Sequence, residues 1–171
     1  MLIAILSDSH DHIPNLHRAV REANLAGAEI LLHCGDLISP FMLPRLHAFQ
    51  GQVHLIYGNN AGDRHLISSR CATMFDNITH HGLQGEITAD GKQICFIHYP
   101  HTARGLAMTG DYDIVCCGHN HEQGVENIGT CLLINPGDLL GKDEKPGFML
   151  LDTVDMQVRR IEVGELLKFD D

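Results

Sequence analysis

The chain has 171 residues, of which 44% are hydrophobic and 20% charged, as expected for a globular protein with one hydrophobic core. We therefore predict a single domain over residues 1–171. The formal net charge of −10 argues against strong binding to DNA or RNA, although it is compatible with a small anionic substrate. No apolar run approaches the roughly 20 residues that a membrane-spanning helix needs, so we expect no membrane segment.

The N-terminus and the cysteines indicate a reducing compartment. Met1 leads directly into the apolar run Leu2–Leu6, which is too short for a signal peptide and lacks a basic flank. Six cysteines are present without any CxxC pair, and several lie inside apolar runs. We therefore expect buried, reduced thiols, no thiolate zinc site and a cytoplasmic location.

The first half of the chain alternates between strand and helix patterns. Apolar side chains recur at spacings of three and four over residues 13–23, which predicts a helix that stops at Gly27. This alternation predicts parallel β-α-β units with right-handed crossovers. The other predicted elements are strands over 2–6, 29–33 and 52–57 and helices over 41–49 and 63–70.

The second half is richer in strands. Asp90-Gly91 between two strand-like runs predicts a β-hairpin, and a helix is predicted to end at Gly110. We expect these strands to form a second sheet packed against the first, and the tail 165–171 to be a frayed end. The predicted segments are strands over 86–89, 92–98, 113–117, 125–128, 131–134, 147–152 and 157–161 and a helix over 102–109.

Five polar clusters follow the ends of predicted strands. Because strand ends of α/β sheets face a common edge, residues that are distant in sequence can converge there. Two aspartates, one asparagine and four histidines would then meet, which is a ligand set for two divalent metals rather than one. The clusters are Asp8-Ser9-His10, Gly35-Asp36, Gly58-Asn59-Asn60, His98 and Gly118-His119-Asn120-His121.

Each cluster taken alone also has an ordinary structural interpretation. Gly-Asp and Gly-Asn are common in turns, and His98 can be a hydrogen-bonded core histidine. The pair His119 and His121 is the most specific signal, because two histidines one residue apart after a buried strand rarely serve packing. Asp8 and His10 would lie on the same side of an extended segment, so both could reach one ion.

Read together, the clusters resemble the calcineurin-like metallophosphoesterase family over about residues 1–163. The resemblance is closest to small phosphodiesterases of the YfcE type. It implies an α/β fold in which a two-sheet β-sandwich is flanked by helices. It also implies a metal position held by Asp8, His10 and His121, a second held by Asn59, His98 and His119, and a bridging Asp36.

The same resemblance implies the reaction and its cofactors. Asp36, Asn59 and His98 are the expected catalytic residues, and the two divalent ions are expected to be manganese, iron, zinc or nickel. Two such ions about 3.5–4 Å apart acidify a bridging water, so a metal-bridging hydroxide would attack phosphorus without a covalent enzyme intermediate. The expected substrate is a small phosphodiester.

Two positions depart from the family pattern. Asn60 stands where relatives often have a histidine that protonates the leaving group, and the acidic residue that usually follows is displaced to Asp63. His12, His65 and His101 are candidate replacements for the missing acid, although each can also be a plain surface histidine. The second departure is Asn135-Pro136-Gly137-Asp138, where relatives often show Asn-Pro-Gly-Ser, and we expect a turn behind the metal loop.

Other functions on the same fold are also considered. One alternative is a non-catalytic scaffold like the vacuolar-sorting subunit of retromer, but all seven ligand positions keep coordinating side chains, which favours an enzyme. A nuclease is disfavoured by the acidic charge. A phosphomonoesterase or protein phosphatase stays open, because the same metals serve both reactions, and so does assembly into a homo-oligomer.

Overall fold

The computed structural model describes residues 1–164, so the predicted tail at 165–171 lies outside the described residues. Within the described residues there are eleven strands and four α-helices, α1 (Ile13–Leu25), α2 (Leu43–His47), α3 (Arg64–Met74) and α4 (Pro100–Ala107). The strands are β1 (Leu2–Leu6), β2 (Ile30–His33), β3 (Gln52–Leu55), β4 (Ile78–His80), β5 (Gln84–Ala89), β6 (Lys92–Ile97), β7 (Ile114–Cys116), β8 (Gln123–Ile128), β9 (Cys131–Pro136), β10 (Gly147–Asp152) and β11 (Val158–Glu162).

The strands form two sheets. The first has the order β11-β10-β1-β2-β3-β4, in which β1 to β4 run parallel and β10 is antiparallel to both of its neighbours, β1 and β11. The second has the order β5-β6-β7-β9-β8, with β6, β7 and β9 parallel. The predicted parallel units and the predicted second sheet are both confirmed. Because β1, β2 and β3 run parallel, as do β6 and β7, the polar clusters follow carboxyl ends within each sheet.

Alternating side chains in the strands produce a layered sandwich. In β1, Ala4 and Leu6 pack with the α1 residue Leu16, whereas Ile3 and Ile5 face the opposite way. That opposite face packs against residues of the second sheet, so an apolar core lies between the sheets. A third apolar cluster joins the outer face of the second sheet to α4. The predicted two-sheet sandwich with flanking helices is therefore confirmed.

The structure differs from the predicted elements in its shortest segments. The helix expected over 41–49 is a 3-10 turn (Pro40–Met42) followed by the five-residue α2. Pro44 explains the division, because a proline lacks the N–H and its ring clashes with the carbonyl four residues earlier. The three-residue β4 was not predicted, since three residues are too few to show an alternating pattern.

Smaller differences concern where elements end. The helix α3 continues to Met74 rather than stopping at residue 70, and β3 ends at Leu55 rather than at residue 57. The helix α1 agrees with its prediction, with Pro14 in the first turn and Gly27 just beyond the end. Within residues 1–164, no helix combines the length and the apolar character needed to cross a membrane.

Candidate metal centre

The seven predicted ligand residues lie together at the carboxyl edge of the two sheets. Asp8, His10 and His121 have ligand atoms within 4.8 Å of one another, as do Asp8, Asp36 and His98. The remaining two residues contact this group, because Asn59 Oδ1 lies 2.9 Å from His98 Nε2 and 2.8 Å from His119 Nδ1. Both sheets therefore contribute to one polar cluster.

The Asp8, His10 and His121 group leaves buried polar atoms without hydrogen bonds. Asp8 Oδ1 lies 3.7 Å from His10 Nε2 and 3.6 Å from His121 Nε2, which is too far for hydrogen bonds. Asp8 Oδ1 and His10 Nε2 are buried and have no hydrogen-bond partner. A buried polar atom without a partner is costly, and a cation between these atoms would satisfy all three. These residues therefore fit a metal ion.

Asp36 faces both halves of the cluster. Its Oδ2 lies 3.6 Å from His10 Nε2, and its Oδ1 lies 3.4 Å from His98 Nε2. The two oxygens of one carboxylate are thus directed at residues of the two predicted metal positions. This arrangement fits a bridging ligand, although the assignment of individual ligands stays a prediction.

A backbone carbonyl orients His98. Its Nδ1 lies 2.8 Å from the carbonyl oxygen of Cys34, so the Nδ1–H donates there and Nε2 is left to face Asp36 and Asn59. Metal-binding histidines are commonly fixed in this way by the ring nitrogen that does not bind the metal. The structure therefore presents His98 with the orientation that a metal ligand requires.

Two glycines of the clusters, Gly58 and Gly118, allow neighbouring side chains to lie directly against their backbone. A Cβ atom on Gly58 would overlap Asp36 Oδ1, and a Cβ atom on Gly118 would overlap Ser7 Oγ. Any larger residue would displace the carboxylate or the loop that carries it. The glycines that precede Asn59 and His119 in the sequence are therefore part of the construction of the centre.

Five of the seven residues have left-handed backbone conformations. The φ angles are 54° for Asp8, 40° for His10, 57° for Asp36, 78° for His119 and 61° for His121. Such conformations are uncommon outside glycine and cluster at functional sites. The expectation that Asp8 and His10 lie on an extended segment is therefore wrong. They point toward one another because the chain turns there.

The pKa values of the buried ionisable groups reflect their mutual contacts. Burial opposes ionisation of Asp36, but its contacts with His98 and Asn60 outweigh burial and hold the pKa of this carboxyl below its usual value. Burial lowers the pKa of His98, but the Asp36 and Asp8 carboxylates raise it by more than burial lowers it, so the pKa lies above its usual value. A net negative field therefore lies at the centre, as suits a cation site.

The loop of His119 and His121 is held from behind by Asn135. Its Nδ2 donates to the carbonyl of Gly118 at 3.2 Å and to Asn120 Oδ1 at 2.7 Å. Its own Oδ1 accepts the N–H of Gly137 at 3.1 Å, which closes the turn expected at this position. The amide of one residue thus supports both the metal loop and its own turn.

Sequence reasoning did not identify two buried residues near the centre. The Asp138 carboxylate lies 3.0 Å from His121 Nδ1, and this contact is the main cause of the raised pKa of His121. His33 is fully buried with its Nε2 3.1 Å from Ser9 Oγ, and burial lowers its pKa to about 4. The only signal for Asp138 was its departure from the family's serine, whereas His33 sits inside an apolar run and gave none.

The histidines considered as replacements for the missing general acid lie on helices or at a helix end. His12 accepts the N–H of Asn15 as the N-cap of α1, while His65 and His101 are exposed on α3 and α4. Asp63 is the N-cap of α3, where its Oδ1 accepts the N–H of Leu66 at 2.9 Å, so it has a structural role. Asn60 contacts Asp36 directly.

Comparison with known proteins places the chain among phosphoesterases. Residues 1–156 match the calcineurin-like phosphoesterase superfamily domain. The chain is 32% identical over 163 residues to phosphodiesterase MJ0936 of Methanocaldococcus jannaschii, covering 94% of this chain and 98% of that protein. It is 31% identical over 144 residues to a probable metallophosphoesterase of Methanothermobacter thermautotrophicus, covering 80% and 76% of the two chains.

Solved structures agree. A novel archaeal phosphodiesterase is similar with a TM-score of 0.88 and 29% identity over 95% of this chain and 99% of that one. YfcE of E. coli, a phosphoesterase, has a TM-score of 0.68 at 15% identity, and zinc-bound Vps29 of Entamoeba histolytica has 0.66 at 19%. Both matches, to YfcE and to Vps29, cover 96% of this chain and 100% of the other chain. At these low identities, the two structures show the fold alone. The chain belongs to the calcineurin-like phosphoesterase superfamily.

Proposed function

We propose that this protein is a metal-dependent phosphodiesterase that hydrolyses small phosphodiesters. The observation that carries this proposal is the pair of buried, unpartnered atoms, Asp8 Oδ1 and His10 Nε2, in a cluster of seven side chains that are able to bind metal. The diester preference is supported by the relative named phosphodiesterase MJ0936. The retained ligand set favours an enzyme over a scaffold, since the similarity to Vps29 concerns the fold alone.

The proposed centre holds two divalent ions. Asp8, His10 and His121 would hold one, Asn59, His98 and His119 the other, and Asp36 both. The donors are nitrogen and oxygen atoms without thiolates, a set that manganese, iron, zinc and nickel all accept. When bound, such ions supply Lewis acidity toward phosphoryl oxygens and nucleophilic hydroxide at neutral pH.

The protein's own groups fix the geometry of this chemistry. Asn60 donates to both oxygens of Asp36, which prevents the carboxylate from rotating between the two positions. The Cys34 carbonyl fixes His98 in a similar way. Because these contacts form before substrate arrives, little reorganisation is needed during the reaction.

The surroundings favour a small substrate with a flat or apolar substituent. The ring of Tyr99 is 43% exposed and packs against His119 with ring centroids 4.9 Å apart. An aryl or nucleoside group could therefore contact Tyr99 while its phosphate occupies the centre.

The test begins with metal analysis of the purified protein. The stripped protein is then loaded with each ion and assayed against matched phosphodiesters and phosphomonoesters. We expect diester hydrolysis to return with at least one ion and to be nearly abolished in Asp36→Asn. The matched control is Asp76→Asn, because Asp76 is 94% exposed on the surface. Metal binding without hydrolysis of any ester would favour the scaffold, and faster monoester turnover would favour a phosphomonoesterase.

Further features of the proposal concern the protein as a whole. We propose one domain, a cytoplasmic location and no strong nucleic-acid binding, which the six free, buried cysteines and the net charge of −10 support. Self-association stays a prediction, which light scattering of the purified protein would test.

A further inference from the structure

We propose that Asp138 is a positioning residue of the metal centre, which fixes the ring of His121 and strengthens metal binding at the position of Asp8, His10 and His121. This inference rests on the metal centre proposed above. It adds a residue outside the seven predicted ligands, and it assigns that residue to one of the two metal positions.

The geometry links Asp138 to that position through the His121 ring. Asp138 Oδ2 lies 3.0 Å from Nδ1 of His121, which is a hydrogen-bonding distance, although the two groups are not aligned as a hydrogen bond and this nitrogen has no other hydrogen-bond partner among residues 1–164. On the far side of the ring, Nε2 lies 3.6 Å from Asp8 Oδ1. A carboxylate that binds the distal N–H of a metal-bound histidine sets its tautomer and increases its basicity. Asp138 would therefore leave Nε2 of His121 as the ligand atom.

Asp138 is buried without a neutralising positive charge from a lysine or arginine among residues 1–164. Its side chain is fully buried, and its Oδ1 has no hydrogen-bond partner. Its Oδ2 accepts the N–H of Lys142 at 3.2 Å, but no lysine or arginine side chain among residues 1–164 pairs with it. A buried carboxylate without a cationic neighbour is costly unless positive charge lies close by. A cation on His121 would supply that charge.

The segment that begins with Asp138 is attached to the chain that carries Asp8. Leu139 and Leu140 donate their N–H groups to the carbonyls of Ser7 and Asp8, both at 3.1 Å. The backbone carbonyl of Asp138 also accepts the N–H of Gly147 at 3.1 Å. Asp8 and Asp138 are therefore fixed relative to one another, and His121 is held between them.

Among residues 1–164, no carboxylate contacts the distal nitrogen of a histidine at the other metal position. The distal nitrogen of His98 contacts the neutral carbonyl of Cys34, and Asn59 is itself neutral. Because charges interact strongly at a buried site, the additional charge of Asp138 favours a cation at its own position. We therefore expect the position of Asp8, His10 and His121 to bind metal more tightly than the other.

The test is a titration of metal-free protein with Mn²⁺ alone, followed by electron paramagnetic resonance and calorimetry at one pH. Asp138→Asn keeps the volume of the side chain but removes its charge. We expect the manganese Kd of the tighter site to rise about 10–100-fold in this variant. The matched control is Asp143→Asn. Asp143 Oδ2 lies 3.7 Å from the same His121 nitrogen, but this residue is 57% exposed, so solvent screens its charge.

Several results would overturn the proposal. Manganese affinity of Asp138→Asn within about 3-fold of the unaltered protein would do so, as would an equal loss in Asp143→Asn. Thermal unfolding of the metal-free variants separates folding from binding, and Asp138→Ser repeats the test with a smaller side chain. Loss of the fold in both Asp138 variants would assign this residue to stability alone and equally overturn the proposal.

The titration contains no phosphate ester, so it is separate from the test of phosphodiesterase activity. Metal binding that depends on Asp138 in a protein without hydrolysis would refute only the proposed function. Hydrolysis in a protein whose metal affinity does not depend on Asp138 would refute only this inference. Absence of binding of manganese, iron, zinc and nickel by the unaltered protein would refute both.

Discussion

Asn60 holds the carboxylate of Asp36 through two hydrogen bonds. Its backbone N–H donates to Oδ1 at 2.8 Å, and its side-chain Nδ2 donates to Oδ2 at 2.7 Å. The residue that stands in place of the family's histidine therefore offers no acidic proton, but it fixes the orientation of the expected bridging ligand. Asn60 and Asp36 thus act as one unit in the predictions about catalysis.

The first prediction concerns Asp36→Asn. Asparagine has one acceptor oxygen, so one of the two Asn60 donors would face an amide group, and the negative charge between the two positions would be lost. Loss of one preorganised group at an active site costs about 10²–10³-fold in rate, and we expect at least that here. The measurement is kcat on an aryl phosphodiester with metal content matched by elemental analysis.

The control for this variant is Asp76→Asn, an exposed aspartate on the surface. Near-native activity of Asp36→Asn with two metals bound would show that Asp36 does not bridge them. Loss of activity that is restored by excess metal would instead assign Asp36 to affinity alone.

The positions of the seven polar residues could be predicted because each follows an apolar strand. In β1, β2, β3, β6 and β7 the apolar run ends a few residues before the cluster, and the carboxyl ends of parallel strands share an edge. The two-sheet fold could be predicted for the same reason, since long periodic segments determine it. The local pattern of apolar and polar residues is enough to predict a contact wherever the order and direction of the strands bring the two residues together.

The rest depended on long-range packing. Asp138 lies 17 positions after His121 in the sequence, and no motif joins the two residues, because the contact exists only once β9 has returned beside β7. The left-handed turns at Asp8 and His10 have another reason, since aspartate and histidine are enriched among non-glycine residues with a positive φ but still adopt it rarely, so an extended segment is the ordinary expectation. The buried His33 reads as part of a strand until its contact with Ser9 is known.

Metal removal should destabilise the protein. Asp8 Oδ1 and His10 Nε2 have no hydrogen-bond partner, so an ion that binds only the folded state should raise the melting temperature. At a free metal concentration 100-fold above Kd the stabilisation is about 2.7 kcal/mol per site. The measurement is thermal unfolding with EDTA and with added Mn²⁺.

A matched pair of variants locates this effect. His10→Ala should abolish most of the metal-induced shift, whereas His17→Ala, an exposed residue on α1, should keep it. An identical melting temperature with EDTA and with each of the four candidate ions in the unaltered protein would contradict a metal ion at this cluster.

Stability should fall between pH 6.5 and pH 4. Burial lowers the pKa of both His54 and His80 to about 4, so the folded state binds fewer protons than the unfolded state in this window. Their contribution is complete above the unfolded pKa of about 6.5 and is lost as the pH falls toward 4. His54 Nδ1 also lies 2.9 Å from His81 Nε2, a contact that requires one neutral ring.

The measurement is the free energy of unfolding by urea with EDTA present, at intervals from pH 7.5 to pH 4. His54→Gln should reduce the slope in this window, and His17→Gln, on the exposed face of α1, should leave it unchanged. A free energy of unfolding that is constant from pH 6.5 to pH 4.5 would show that these histidines protonate freely in the folded protein.

Tyr99 should favour substrates that carry an aromatic group. Its ring packs edge-on against His98 and His119, with centroid distances of 5.3 and 4.9 Å, and part of it is exposed to solvent. Aromatic contacts are worth about 0.5–1.5 kcal/mol, so Tyr99→Ala should lower kcat/KM for aryl diesters about 2- to 10-fold, mainly through KM. Tyr99→Phe should retain the preference for aryl diesters. An equal loss of kcat/KM on dimethyl phosphate in Tyr99→Ala would contradict an aromatic contact with the substrate.

The last prediction concerns the leaving group. With Asn60 bound to Asp36 and no acid at this position, departure of the alcohol should depend steeply on its own basicity. Esters of acidic phenols should be cleaved readily, whereas alkyl esters should lack the roughly 10²–10⁴-fold contribution of a general acid. The measurement is a series of diesters with graded leaving-group pKa, compared between the unaltered protein and Asn60→His. The new imidazole should raise the rate on alkyl esters more than on aryl esters, provided that Asp36 stays bound through the backbone N–H of residue 60. Equal, shallow dependence in both proteins would show that another residue already donates the proton, and single replacement of His12, His65 and His101 would then identify it.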